Sequence, residues 1–279
     1  MAKLYIGEQK HGTTALYTPN GAAREYAAVG CNFYNGCPHD CEYCYLKRGV
    51  LSHTMGKTEV TLKSCFHEEE RALAIFKREC DKHVGYLRGT GIFFSFSTDP
   101  MLRETCMLTM YATKYAMGLS IPVKILTKCA NVPLSVNLLL NDIQKKQRQL
   151  LAMGYTLTGR DDMEPNADSN SERIDSMRRM KYLGYKTFAS IEPIIDCDSS
   201  YRMTKSAVGV CDHFKIGLRS GVGKDYYRRE DVLNFIEDVK RVTEGKTTVY
   251  WKQSIRKFIG DDSVFQHEGS VDMDYNMFE

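Results

Sequence analysis

The sequence has no apolar run of the roughly 18 residues needed to span a membrane, so it reads as soluble. Residues 1–8 lack the long apolar stretch of a secretory signal and soon turn polar, which points to the cytoplasm. No strong bias of one charge is present. Lysine and arginine number 38 against 35 acidic residues, a formal +3, far from the basic excess that by itself announces a nucleic-acid binder. Local basic groups at Lys145-Lys146-Gln147-Arg148, Arg178-Arg179-Met180-Lys181 and Arg228-Arg229 read as solvated helix faces. There is no internal repeat, low-complexity tract or long Pro/Gly/Ser linker, so one domain over residues 1–260 with a short N-terminal extension is expected. Residues 261–279, rich in aspartate and glutamate, read as a flexible or folded-back acidic tail.

What the chain does have is alternation of short β-rich segments with amphipathic ones. Strands are expected over 26–29, 92–96, 123–127, 155–158, 187–191, 213–217 and 248–251. Between them, Leu73, Phe76 and Cys80 follow a helical spacing behind Glu68-Glu69-Glu70. Ser169 and Glu172 form a capping box before Ile174, Met177, Met180 and Leu183, with Gly184 at the end. Val232, Phe235, Ile236 and Val239 make a third apolar stripe. Strand and helix in alternation imply right-handed βαβ units on a parallel sheet, either open or closed into a barrel. In both, the site lies at the carboxyl ends of the strands.

Ten cysteines without a secretory signal are expected to be thiols or metal ligands rather than a disulfide framework. Seven are scattered and read as core; three stand together in Gly36-Cys37-Pro38-His39-Asp40-Cys41-Glu42-Tyr43-Cys44-Tyr45. A [4Fe-4S] cube has four irons to ligate, so a loop supplying Cys37, Cys41 and Cys44 leaves one open to a chelating ligand. The competing readings are a structural zinc site completed by His39 or His53, and unrelated thiols. Zinc sites commonly pair two cysteine couples, no second couple follows, and His39 is confined between two candidate ligands. One cluster per chain is expected, about four iron atoms.

The Cys-x-x-x-Cys-x-x-Cys motif, with Tyr43 before the third cysteine, resembles the radical S-adenosylmethionine (SAM) superfamily. The longer phrase Gly36 to Leu46 resembles the branch that contains spore photoproduct lyase and the DNA-repair-photolyase-like proteins. Ser97-Thr98-Asp99-Pro100, Leu126-Thr127-Lys128 and Glu172-Arg173-Ile174 follow in order, so the resemblance spans about residues 25–220. It implies an α/β fold of the partial (β/α)6 TIM-type barrel kind. It also implies a [4Fe-4S] cluster on which SAM is reductively cleaved to a 5′-deoxyadenosyl radical that abstracts a substrate hydrogen. The resemblance implies cluster ligation by Cys37, Cys41 and Cys44, and cofactor contact by Asp99, Lys128, Arg160 and Glu192. It makes Tyr43 and Tyr45 catalytic candidates that relay a radical. A nucleic acid or nucleotide substrate and an electron donor such as flavodoxin or ferredoxin are implied partners. A peptide or small-metabolite substrate, and a noncatalytic metal-binding protein, are the alternatives. In the lyase, a cysteine three residues before the aspartate returns a hydrogen atom. Here that position is Phe96, which has no such hydrogen to give.

Overall fold

The computed structural model describes residues 14–223 and 225–279; the N-terminal stretch 1–8 lies outside the described residues. Among the described residues ten strands occur: β1 (Leu16–Tyr17), β2 (Gly30–Cys31), β3 (Tyr34–Asn35), β4 (Thr61–Leu62), β5 (Ile92–Phe94), β6 (Val123–Thr127), β7 (Leu151–Thr156), β8 (Lys186–Ile194), β9 (His213–Leu218) and β10 (Thr248–Trp251). The helices are α1 (Glu69–Thr90), α2 (Cys106–Gly118), α3 (Val132–Leu139), α4 (Lys145–Arg148), α5 (Asn170–Tyr182), α6 (Cys197–Ala207), α7 (Arg229–Thr243) and α8 (Gln253–Ile259). The main sheet has the order β1-β2-β5-β6-β7-β8-β9-β10. Every pairing from β2 to β10 is parallel, and only β1 runs antiparallel, against β2. Six strand-helix units followed by β10 thus form a partial TIM-type barrel, the fold expected from the sequence.

The three helices read from sequence form as expected. The Ser169–Glu172 capping box opens α5, whose Ile174, Met177 and Met180 are buried. Gly184, at φ 85°, lets the chain turn back after the helix, with its N–H and that of Tyr185 bonded to the carbonyls of Lys181 and Met180. The first expected strand is shifted. Residues 21–25 coil into a 3₁₀ turn and pairing begins only at Gly30. The alternation that mimics a strand comes from Glu25 and Tyr26 turning inward toward the barrel polar groups described below. At β7 the strand starts at Leu151, earlier than expected, because Leu151 to Thr156 are all buried and show no alternation.

Each parallel strand serves two cores. Val123, Ile125, Met153, Tyr155, Ala189, Ile191, Phe214, Ile216, Val249 and Trp251 pack outward in the large core under the helices. Phe93, Ala152 and Phe188 face inward, joined by Tyr26. Gly154 has no side chain because a Cβ there would stand 2.1 Å from the Phe188 ring. The acidic segment folds back on the barrel. Val249 bonds Gly269 and Val271 along the open edge of β10, Phe265 packs on Trp251, and Met277 enters the inner core where Lys186 donates to its carbonyl. It therefore closes the end of the barrel where the strands begin. Among the described residues no helix is long and apolar enough to cross a membrane.

Lysines also face inward. Burial alone pushes the Lys124 ammonium down to about 8, and its Nζ lies 5.9 Å from the Phe278 ring. The unfolded chain keeps that proton up to about 10.5, the folded chain only to about 8. Between those values the unfolded state binds more protons, so this group makes stability rise with pH across the window and holds it at its lower level below. Lys124→Met is expected to flatten that part of the slope and to raise stability at pH 7. Urea denaturation of both chains at pH 7, 8, 9 and 10 checks this, and parallel stability curves would refute it.

Candidate active site

The cysteine loop leaves β3 through Gly36, which must be glycine: its φ is 83° and a Cβ would stand 1.9 Å from the Glu59 carbonyl oxygen. The Cys37 N–H then bonds the Lys57 carbonyl at 2.9 Å, and the Cys44 N–H bonds the Cys41 carbonyl at 3.2 Å. Cys41 is buried with Tyr43 and Ile195, while Cys37 and Cys44 are partly exposed. In a cube each cysteine ligates a different iron, so three thiols on one loop would serve three of the four. Burial pushes the Cys37 thiol up to about 12, with the Asp99 charge adding to it, and burial also raises Cys41. A bound metal would supply the positive charge that such thiols need to ionise.

The loop is docked on the segment that follows β7. The Glu42 N–H bonds the Met163 carbonyl at 3.0 Å, and Asn166 Nδ2 donates to the Pro38 carbonyl at 2.9 Å. The Tyr43 hydroxyl donates to Glu164, itself paired with Arg173 at 2.7 Å in full burial. Tyr43 is thereby fixed by its hydroxyl, whereas Tyr45 is 52% exposed and donates to the Phe96 carbonyl. Phe96 stacks on Phe93 with ring centroids 4.5 Å apart.

Asp99 stands beside the loop but is enclosed. Its carboxylate accepts from the N–H groups of Met101 and Lys128 and from the Thr127 hydroxyl, and it meets His39 at 2.9 Å. Burial opposes its charge, yet these bonds, His39 foremost, hold it down at about 2. Lys128 projects over the Tyr43 ring at 5.5 Å. Burial works against its ammonium, but the Cys41 and Glu164 charges keep it above its ordinary value.

Arg160 stands apart, forked onto Asp162 at 2.8 and 2.6 Å and reaching Asp196 at 3.3 Å. Glu192 belongs to a second polar group inside the barrel. Its Oε2 accepts from Tyr26 at 2.7 Å and from Lys252 at 2.5 Å, and its Oε1 lies over Gly217, where a Cβ would come within 2.9 Å. Lys215 donates to the Glu25 carbonyl at 2.7 Å, between the rings of Tyr250 and Tyr26. Burial, with Lys124 and Lys252 nearby, drives its ammonium well below the ordinary lysine value. The structure therefore gathers Cys37, Cys41, Cys44, Tyr43, Asp99 and Lys128 at one place, with Tyr45 at its exposed side. Sequence reasoning missed Glu164, Glu25 and Tyr26 because nothing local marks them, and Arg173 entered only as part of the phrase Glu172-Arg173-Ile174 with no role given. His39 carried a signal, a histidine held between two ligands, that was read only as an unlikely zinc donor.

No family model matches the sequence, and no curated protein matches it. Solved structures do. A spore photoproduct lyase variant with bound AdoMet and dinucleoside spore photoproduct superposes with a TM-score of 0.52 at 12% identity, over 89% of this chain and 64% of that one. The fold is similar to that of spore photoproduct lyase. A second variant gives 0.52 at 13% identity over 86% and 62%, and the lyase complexed with dinucleoside spore photoproduct gives 0.50 at 14% over 89% and 64%. The present chain thus spans less than two thirds of the length of these lyase chains. At such identity the likeness is one of fold.

Proposed function

We propose that the chain is a cytoplasmic radical SAM enzyme acting on a nucleic acid or nucleotide. The observation that carries this reading is the three-cysteine loop docked beside the carboxyl ends of β6 and β7 in a partial barrel similar to that of a lyase solved with AdoMet and a dinucleoside. Ten unpaired thiols fit a reducing compartment. When bound, a [4Fe-4S] cluster with SAM supplies a 5′-deoxyadenosyl radical for hydrogen abstraction, given one electron from a donor such as flavodoxin or ferredoxin.

The chain's own residues divide the remaining work. Cys37, Cys41 and Cys44 hold the cluster, and the Lys128 ammonium offsets its negative charge and meets the SAM carboxylate. The Glu192 Oε1, oriented by Tyr26 and Lys252 on the other oxygen, accepts from ligand hydroxyl or amino groups. Arg160, braced by two aspartates, lines the mouth. Tyr43 holds the loop through Glu164, and Tyr45 is the tyrosine open to substrate. Phe96 rules out the thiol-based hydrogen return of the lyase at that position, so the proposal is the radical chemistry on this substrate class and not dimer repair.

The test is anaerobic reconstitution, reduction in the presence of SAM, and measurement of 5′-deoxyadenosine with and without single- and double-stranded oligonucleotides. The expected result is 5′-deoxyadenosine formation stimulated by nucleic acid, with binding that weakens as salt rises because phosphate contacts release counterions. Formation without such stimulation or binding points to a peptide or small metabolite instead. No 5′-deoxyadenosine from a chain with a verified cluster would leave a noncatalytic metal-binding protein.

A further inference from the structure

Among the described residues one group of three ligating side chains has its donor atoms within 4.8 Å of one another: His39, Asp99 and Cys129. Nitrogen, oxygen and sulfur donors together suit a transition metal. The hydrogen bonds decide against one. Asp99 Oδ1 accepts from the Met101 N–H at 2.9 Å and the Thr127 hydroxyl at 2.6 Å, while Oδ2 accepts from the Lys128 N–H at 2.7 Å and faces His39 Nε2 at 2.9 Å. A carboxylate offers about four acceptor positions, and all are taken, so no lone pair is left for an ion. His39 Nδ1 faces the Asn166 carbonyl at 3.1 Å, which only accepts, so that nitrogen carries hydrogen. Nε2 faces the Asp99 carboxylate, both side chains are 5% exposed, and Cys129 Sγ lies 3.8 Å from that nitrogen.

We propose that His39 and Asp99 form a buried hydrogen-bonded clamp that positions the cluster loop on the barrel. This rests on the cluster reading above. His39 lies two residues after Cys37 and two before Cys41, so the clamp fixes the middle of the loop between two ligands. Asp99 is in turn anchored to the end of β6 through Thr127 and Lys128. On the opposite side Asn166 receives the His39 Nδ1 proton and donates to the Pro38 carbonyl, so residues 38 and 39 are held from both flanks. Removing one partner of a buried hydrogen bond leaves the other unsatisfied, which the loop relieves by moving. Groups that orient ligands from one shell out commonly govern metal retention by about 10–100-fold. His39 is a positioning residue in this scheme, and Asp99 is its anchor.

The test uses the reconstituted full chain as parent, His39→Phe, His39→Gln and Asp99→Asn. The measurements are the rate of iron loss to a ferrous chelator, the electron paramagnetic resonance spectrum of the reduced cluster with and without SAM, zinc content, and far-ultraviolet circular dichroism. His39→Phe is expected to lose iron about 10–100-fold faster with unchanged circular dichroism, and to show an altered spectral response to SAM. His39→Gln, which keeps one donor toward Asp99, is expected to fall between it and the parent. Unchanged iron loss and spectra in both His39 variants overturn the clamp. So does one zinc per chain in the parent that disappears in His39→Phe, since the trio is then a metal site. A parent that assembles no cluster defeats the function reading instead. The clamp is then judged on unfolding of that same chain, where additive effects of His39→Phe and Asp99→Asn overturn it and non-additive ones support it.

Discussion

A Cys41→Ala chain carried through reconstitution with iron and sulfide is expected to hold only traces of the roughly four irons of a cube, and to form 5′-deoxyadenosine at the background rate. The reason is coordination count. Three cysteines already leave one iron open, so a loop with two leaves half of the cube without protein ligands. Cys41 is also the most enclosed of the three, packed with Tyr43 and Ile195. Cys37→Ala and Cys44→Ala are expected to give the same loss. Cys80→Ala is the informative contrast: this thiol is buried on α1 in the outer core, so its removal should cost some stability while leaving iron content whole. Iron, sulfide and 5′-deoxyadenosine are measured in all four. Full iron in Cys41→Ala, or equal loss in Cys80→Ala, would defeat the assignment of the cluster to this loop.

That loop stood out in the sequence because it is local: three cysteines fall within eight residues, at a spacing that suggests one shared site. The parallel character of the sheet was legible for a similar reason. Each βα unit announces itself by the switch from apolar strand to helical stripe, as from residues 213–217 to residues 232–239, and parallel connectivity follows from the alternation. The contacts that seat the loop were not legible, since they join residues far apart in sequence. His39 meets Asp99 across 60 positions and Tyr43 meets Glu164 across 121. The barrel interior carried no local mark. Lys124 and Lys215 sit within apolar strands, and period-two alternation turns them inward among Tyr26, Tyr250 and Phe278. Glu25 and Tyr26 imitated the first strand because the partners that draw them inward, Tyr250 and Gln253 for the one and Ser190 and Glu192 for the other, come from the last third of the chain.

Arg173→Met is expected to destabilise the chain by about 3–5 kcal/mol, the usual result of breaking a buried ion pair from one side. Arg173 is fully buried and makes three charge-assisted contacts: Nη2 to Glu164 at 2.7 Å, Nη1 to the Thr156 carbonyl at 2.8 Å and Nε to the Asp168 carbonyl at 2.8 Å. Methionine fills the volume but leaves a buried carboxylate and two carbonyls without their donor. Lysine is no remedy, because one ammonium cannot reproduce the planar fork that reaches three acceptors. Helix α5 itself should survive, since its Ser169–Glu172 capping box is independent of the pair. The damage therefore falls on residues 163–168, the surface on which the cysteine loop is docked through Glu42, Tyr43 and Pro38. Cluster retention should fall together with stability, linking a residue remote from the cysteines to their chemistry. The Arg173→Met, Glu164→Gln double variant leaves no unpaired charge, so it should recover part of the loss. Urea denaturation with iron analysis on the same preparations decides it: a single variant within about 1 kcal/mol of the parent, with full iron, would mean that the pair is not what holds the dock.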